Sequence, residues 1–184
     1  MASSVARRIP QLLGVVGAGQ MGAGIAQTAA AQGLPVILAD VTQDSLDRGS
    51  ANIHRSLARQ VQKGQLTQEE ADLVKGRIRT DLSLKVLPSG PVLPAFTPAL
   101  KLTVNMRVQA LDKADFIIEA VSENERIKQS IFEQLSRITG PHTVMATNTS
   151  SISITRIAAA TQRPQQVVRL NSPTTCVKKS ICAV

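Results

Sequence analysis

Apolar residues in this chain come in short runs separated by amphipathic stretches, and the alternation of the two predicts its elements. Leu12 to Val16 is a run ending at Gly17, which reads as a buried strand. Residues 20 to 32 follow as a helix rich in Ala, Gln and Met, stopped by Gly33. Val36 to Ala39 is a second strand that closes on Asp40. Strand, helix and strand in this span make a βαβ unit. Thr42 then caps a long helix to about Gln62, which Gly64 breaks. Thr67-Gln68-Glu69-Glu70 is a capping box that opens another helix, ended by Gly76. Arg77 to Thr80 reads as a short third strand, Phe116 to Val121 as a fourth and Val144 to Thr147 as a fifth. Between the last two, Glu125 to Arg137 is an amphipathic helix with Ile127, Ile131 and Leu135 on one face. Ser150 to Ala160 is a turn and a helix, and Val167 and Val168 start like a sixth strand.

Two stretches break this rhythm. Residues 86–110 carry Pro88, Pro91, Pro94 and Pro98 and few charges, and read as an inserted segment. From Arg169 the chain turns polar and basic without periodicity, so residues 169–184 read as an atypical disordered tail. Residues 1–11 read as a flexible tail, leaving 12–168 as one domain. The expected fold is α/β: a Rossmann-type, doubly wound, mostly parallel sheet with flanking helices.

Gly17-Ala18-Gly19-Gln20-Met21-Gly22 matches G-x-G-x-x-G. The pattern alone is weak, but here it follows an apolar strand, opens a helix, and is followed by a strand ending in an acid. Gly17 would allow the tight turn, Gly19 the approach of backbone to a pyrophosphate, and Gly22 close helix–strand packing. The helix N-terminus would present N–H groups and a positive dipole to the phosphates. Asp40 would accept hydrogen bonds from a ribose and repel a 2′-phosphate, which favours NAD over NADP. The competing readings are a glycine turn without ligand and a helix-capping Asp.

Ser56, Arg59 and Lys63 share one helix face and, with Arg55, form a basic strip. It is either a solvated face or a grip on a second phosphorylated ligand. Ser122-Glu123-Asn124 and Thr147-Asn148-Thr149-Ser150-Ser151 end the fourth and fifth strands, where doubly wound sheets place ligands. Glu123 and Lys128 could reach a cofactor there; capping of the following helices is the alternative.

Composition narrows the field. The net charge of +8 fits a basic surface or an anionic, phosphate-bearing ligand. No nucleic-acid-binding signature appears, and three Phe with no Tyr or Trp leave no stacking platform. No apolar run approaches the ~18 residues of a membrane span, and the N-terminus has no secretory h-region. Cys176 and Cys182 fit no zinc spacing and read as free thiols in a reducing compartment, so no metal is expected. An intracellular soluble protein is expected, with peroxisome, mitochondrial matrix and cytoplasm not distinguished.

The segments VVGAGQMGAGIAQ, KGQLTQEEAD, RIRT, ADFIIEAVSEN and ATNTSSISITRIAAATQRP, in that order, resemble the N-terminal domain of the 3-hydroxyacyl-CoA dehydrogenase family, including 3-hydroxybutyryl-CoA dehydrogenases. The likeness covers residues 12–85 and 111–168. It implies NAD bound by Gly17, Ala18, Gly19, Gln20, Met21, Gly22, Asp40, Glu123 and Lys128. It implies coenzyme A contacts at Ser56 and Lys63 and a substrate contact at Ser150. The implied reaction is oxidation of a 3-hydroxyacyl-CoA to the 3-oxoacyl-CoA in fatty-acid metabolism.

The chain departs from the family after the sixth strand. Where the family continues into Gly-x-His-Phe-x-Asn-Pro, with the catalytic His, this chain reads VVRLNSPTT. The helical domain that follows in the family, with its partner Glu and dimer contacts, has no counterpart here. The resemblance therefore implies a truncated, catalytically incomplete chain. The alternatives are a non-catalytic module for NAD(H) and the CoA nucleotide, or a fragment without a stable fold.

Overall fold

The computed structural model describes residues 10–82 and 110–170. The inserted segment, except for Ala110, and almost all of both tails expected from the sequence lie outside the described residues. Among the described residues six strands form one sheet: β1 (Leu13–Val16), β2 (Val36–Ala39), β3 (Ile78–Asp81), β4 (Phe116–Glu119), β5 (Val144–Thr147) and β6 (Val167–Arg169). Their order is β3-β2-β1-β4-β5-β6, and every neighbouring pair is parallel. This is the doubly wound order, whose direction reverses between β1 and β4. The sheet is thus wholly rather than mostly parallel.

Strands covered on both faces need apolar residues at every position, not at alternate ones. All four residues of β1, β2 and β4 are buried. Leu13 and Val15 face one core with Leu38 and Ile118. That core is covered by α1 (Gln20–Ala31), α2 (Gln43–Gln62) and α3 (Gln68–Gly76). Val16, Ile37, Ile117 and Met145 face a second core under α4 (Glu125–Ile138) and α5 (Ile154–Ala159). Phe132 of α4 is fully buried there.

Helix ends agree closely with the local signals. Thr42 accepts from the Ser45 N–H at 3.2 Å and starts α2. Thr67 and Glu70 form the reciprocal capping box of α3. Hydrogen bonds from the Thr67 backbone and hydroxyl hold the Glu70 carboxyl below its ordinary pKa. The C-terminal end of α4 is closed by Arg163, a residue 24 positions beyond Thr139. Its guanidinium donates to the carbonyls of Ser136, Thr139 and Gly140 and to the Thr139 hydroxyl. These carbonyls have no partner within the helix, and the cation complements the negative helix end.

Ser150 to Ile152 bend ahead of α5, which starts at Ile154, in line with the turn and helix expected there. One boundary differs from the sequence expectation. The sheet runs past Val168: Arg169 belongs to β6, and Leu170 is buried with its N–H on the Thr147 carbonyl at 3.0 Å. A basic residue at a strand's solvent end carries no periodic signal.

Phe132→Ala is expected to lower unfolding free energy by about 3–5 kcal/mol, read as a reduced urea midpoint with an unchanged slope. For Glu70 the folded-state pKa is the lower one, so its contribution is present above the unfolded value. It disappears as pH falls through the folded value. Glu70→Gln should therefore flatten the acid limb of the melting-temperature profile; an identical limb would show the box to be ornamental.

Candidate functional site

The turn between β1 and α1 is built for close backbone approach. Gly17 has φ 102°, and a Cβ there would lie 2.8 Å from the Ala120 carbonyl oxygen. A Cβ on Gly22 would lie 1.7 Å from the Gly17 carbonyl oxygen, so no side chain fits. Above Gly19 a Cβ would meet nothing within 4 Å. Gly19 also caps α1 without a side-chain acceptor, and no acid stands in the first turn. The N–H groups of that turn therefore face an open, anion-favouring space.

Asp40 holds this turn in place. One carboxylate oxygen accepts the Ala18 N–H at 2.7 Å, and the other accepts the N–H groups of Val41 at 2.7 Å and Thr42 at 3.3 Å. The two sequence readings of Asp40 are thus compatible: it fastens the start of α2 and still presents a carboxylate beside the turn. Met21 and Val41 are exposed apolar side chains flanking it. Sequence reasoning missed Gly49, which lets α2 lie against the turn: a Cβ there would be 2.6 Å from the Ala18 carbonyl oxygen.

Across the reversal point, β4 and β5 end in a polar network. Glu119 is fully buried and pairs with Lys128, itself 1% exposed, at 2.7 Å. Lys128, one of the residues expected at the cofactor, directs its ammonium to Glu119 and the Val121 carbonyl. Glu119 also accepts the Val121 N–H and the Thr147 hydroxyl, both at 2.7 Å. Glu123 accepts the hydroxyls of Thr149 at 2.5 Å and Ser151 at 3.2 Å. Ser150 stands exposed beside them.

A cleft of about 810 Å³ runs between α1 and α2, lined by Gln20, Gly24, Asn52, Arg55, Ser56 and Arg59 among others. Ser56 and Arg59 of the basic strip thus come together there. Lys63, exposed at the C-cap of α2, does not line the cleft. A second depression of about 610 Å³ lies at Glu123, Asn124 and the start of α4. Among the described residues there is no cluster of metal-ligating side chains and no helix long and apolar enough to cross a membrane. His54 is exposed on α2, and His142 is exposed just before β5, at the end of the sheet away from the crevice.

Residues 12–89 and 97–173 match the family model described as 3-hydroxyacyl-CoA dehydrogenase, NAD binding domain. The match leaves residues 90–96 between its two parts, a narrower break than the 86–110 expected from the sequence. A probable 3-hydroxybutyryl-CoA dehydrogenase of Bacillus subtilis is 38% identical over 157 residues, which is 85% of this chain and 46% of that protein. The crystal structure of FadB2 from Mycobacterium tuberculosis superposes with a TM-score of 0.73 at 34% identity, covering 89% of this chain and 49% of that one. (S)-3-hydroxybutyryl-CoA dehydrogenase from Ralstonia eutropha does so with a TM-score of 0.72 at 32% identity, covering 90% and 50%. The chain thus spans about half the length of these relatives.

Gly22→Ala must push α1 away from the Gly17 carbonyl. It is expected to lower the melting temperature and to abolish dinucleotide binding in a calorimetric titration. Unchanged binding would show that the turn tolerates rebuilding.

Proposed function

The chain belongs to the family of the 3-hydroxyacyl-CoA dehydrogenase NAD binding domain, and from that premise we propose that it holds NAD(H) as the nucleotide half of an oxidoreductase acting on 3-hydroxyacyl-CoA or 3-oxoacyl-CoA. The observation that carries this reading is the turn from Gly17 to Gly22, fastened by Asp40 and open above Gly19. The residues fit the cofactor. N–H groups of the turn and of α1 would receive the pyrophosphate. The Asp40 carboxylate would take the adenosine ribose hydroxyls and repel a 2′-phosphate. Glu123, on the far side of the reversal point, would face the other ribose. When bound, NAD accepts the hydride from C3 of the substrate.

Ser56 and Arg59 would supply a hydroxyl and a cation in the α1/α2 cleft for the nucleotide of coenzyme A; Lys63, outside the lining, would reach that nucleotide only from the exposed C-cap of α2. Ser150, exposed in the loop after β5, would meet the acyl end. The hydroxyl proton leaving with the hydride needs a base within hydrogen-bond reach. Neither His54 nor His142 lies at the crevice, and the chain has no other histidine. The residues present therefore support binding and positioning more fully than turnover. Absence of a general base costs about 10²–10⁴-fold in rate.

Calorimetric titration with NADH should give saturable binding, tighter than that of NADPH. Asp40→Ala should weaken NADH about tenfold or more, since a charged hydrogen-bond acceptor and the Ala18 clasp are both lost. Failure of the unaltered chain to bind NADH would overturn the reading. With acetoacetyl-CoA, the purified chain is expected to oxidise NADH poorly or not at all; robust oxidation would show that a base is supplied from elsewhere in the chain.

A further inference from the structure

A charged pair inside an apolar helix–sheet interface needs a reason. Lys128 lies on the face of α4 that carries Ile131, Phe132 and Leu135 into the core. An apolar side chain there would avoid the desolvation of two charges, and such replacements are often neutral or stabilising. The pair is retained within a hydrogen-bond network whose members converge on one place. Glu119 joins three elements: its own strand end through Val121 N–H, α4 through Lys128, and β5 through Thr147. The Thr147 hydroxyl in turn accepts the Thr149 N–H at 3.2 Å. Thr149 then donates to Glu123 and accepts the Ile152 N–H at 3.3 Å. From a carboxylate with no solvent access, the network thus reaches the loop after β5 and the carboxylate of the loop after β4.

Those two loops flank the half of the crevice opposite Asp40. The turn at Gly17 and the Asp40 carboxylate just after β2 would take the pyrophosphate and the adenosine. The rest of a dinucleotide must cross the reversal point toward β4 and β5. We propose that Glu119 is a positioning residue for the nicotinamide half of NAD(H): it clamps Lys128 and Thr147 so that Glu123 and the Thr149–Ser151 loop meet over that half of the crevice. This rests on the reading of the crevice as an NAD(H) site. In it Lys128 acts through Glu119 and the loop, without its ammonium leaving the core.

The test compares two probes, NADH and ADP, on the full chain. ADP carries the adenosine and pyrophosphate but lacks the nicotinamide riboside. For the unaltered chain NADH should bind more tightly than ADP. Glu119→Gln should weaken NADH about tenfold, the scale of a lost charged hydrogen bond, and leave ADP within about twofold. A purely structural role would weaken both probes together, so parallel loss overturns the proposal, as does unchanged NADH binding. Thr147→Val cuts the same network without leaving a stray charge and should cost NADH alone about threefold. It decides the matter if Glu119→Gln gives no cooperative melt; failure of both variants to fold would show a folding role and overturn the proposal. An unaltered chain that binds neither probe would overturn the NAD(H) reading itself, whereas normal binding with unaffected variants would overturn only the role of Glu119.

Discussion

The chain leaves β1 and enters α1 through a turn with no room for a methyl group, and the site depends on that contact. With Gly22 against the Gly17 carbonyl, α1 starts directly over the end of β1, the strand beside the reversal of order. The helix N-terminus is thereby aimed at the point where the strand order reverses. Asp40 and Gly49 secure the same turn from β2 and α2, through the N–H and carbonyl of Ala18. A side chain at any of the three glycines would act on the crevice as much as on stability, because each faces backbone that cannot rotate away.

The two halves of the crevice are stabilised differently. On the Asp40 side, a half-buried carboxylate uses exposed and partly buried backbone donors, so it remains available to a ligand. On the Glu119 side the charges are fully buried and satisfied by each other and by hydroxyls. Breaking such a pair costs about 3–5 kcal/mol, because it leaves an uncompensated charge in the core. One half thus presents a carboxylate to the crevice, while the other keeps its charges inside the core.

The chain aligns with the nucleotide-binding part of dehydrogenases about twice its length. Its glycine turn and Asp40 stand together at the crevice, while His54 and His142 are exposed elsewhere on the surface.

The sequence alone determined most of the fold, because its signals are local. The apolar runs marked five of the strands within one or two residues, Thr42 and Thr67 marked helix starts, and the spacing of Gly17, Gly19 and Gly22 before Asp40 marked the dinucleotide turn. Each is a short-range steric or hydrogen-bonding requirement, legible without knowing what packs on it. Gly49, Arg163 and the true surroundings of Lys128 were not legible. Periodicity treats a lysine on a helix as solvent-facing unless its partner is known, and Glu119 lies on a different element with its own apolar context. Gly49 looks like a weak helix position until Ala18 is placed beneath it, and Arg163 looks like a surface charge until the open end of α4 is brought to it. Only the tertiary structure decided these, because a buried charge, a close approach and a remote cap each depend on a group that the chain supplies from another element.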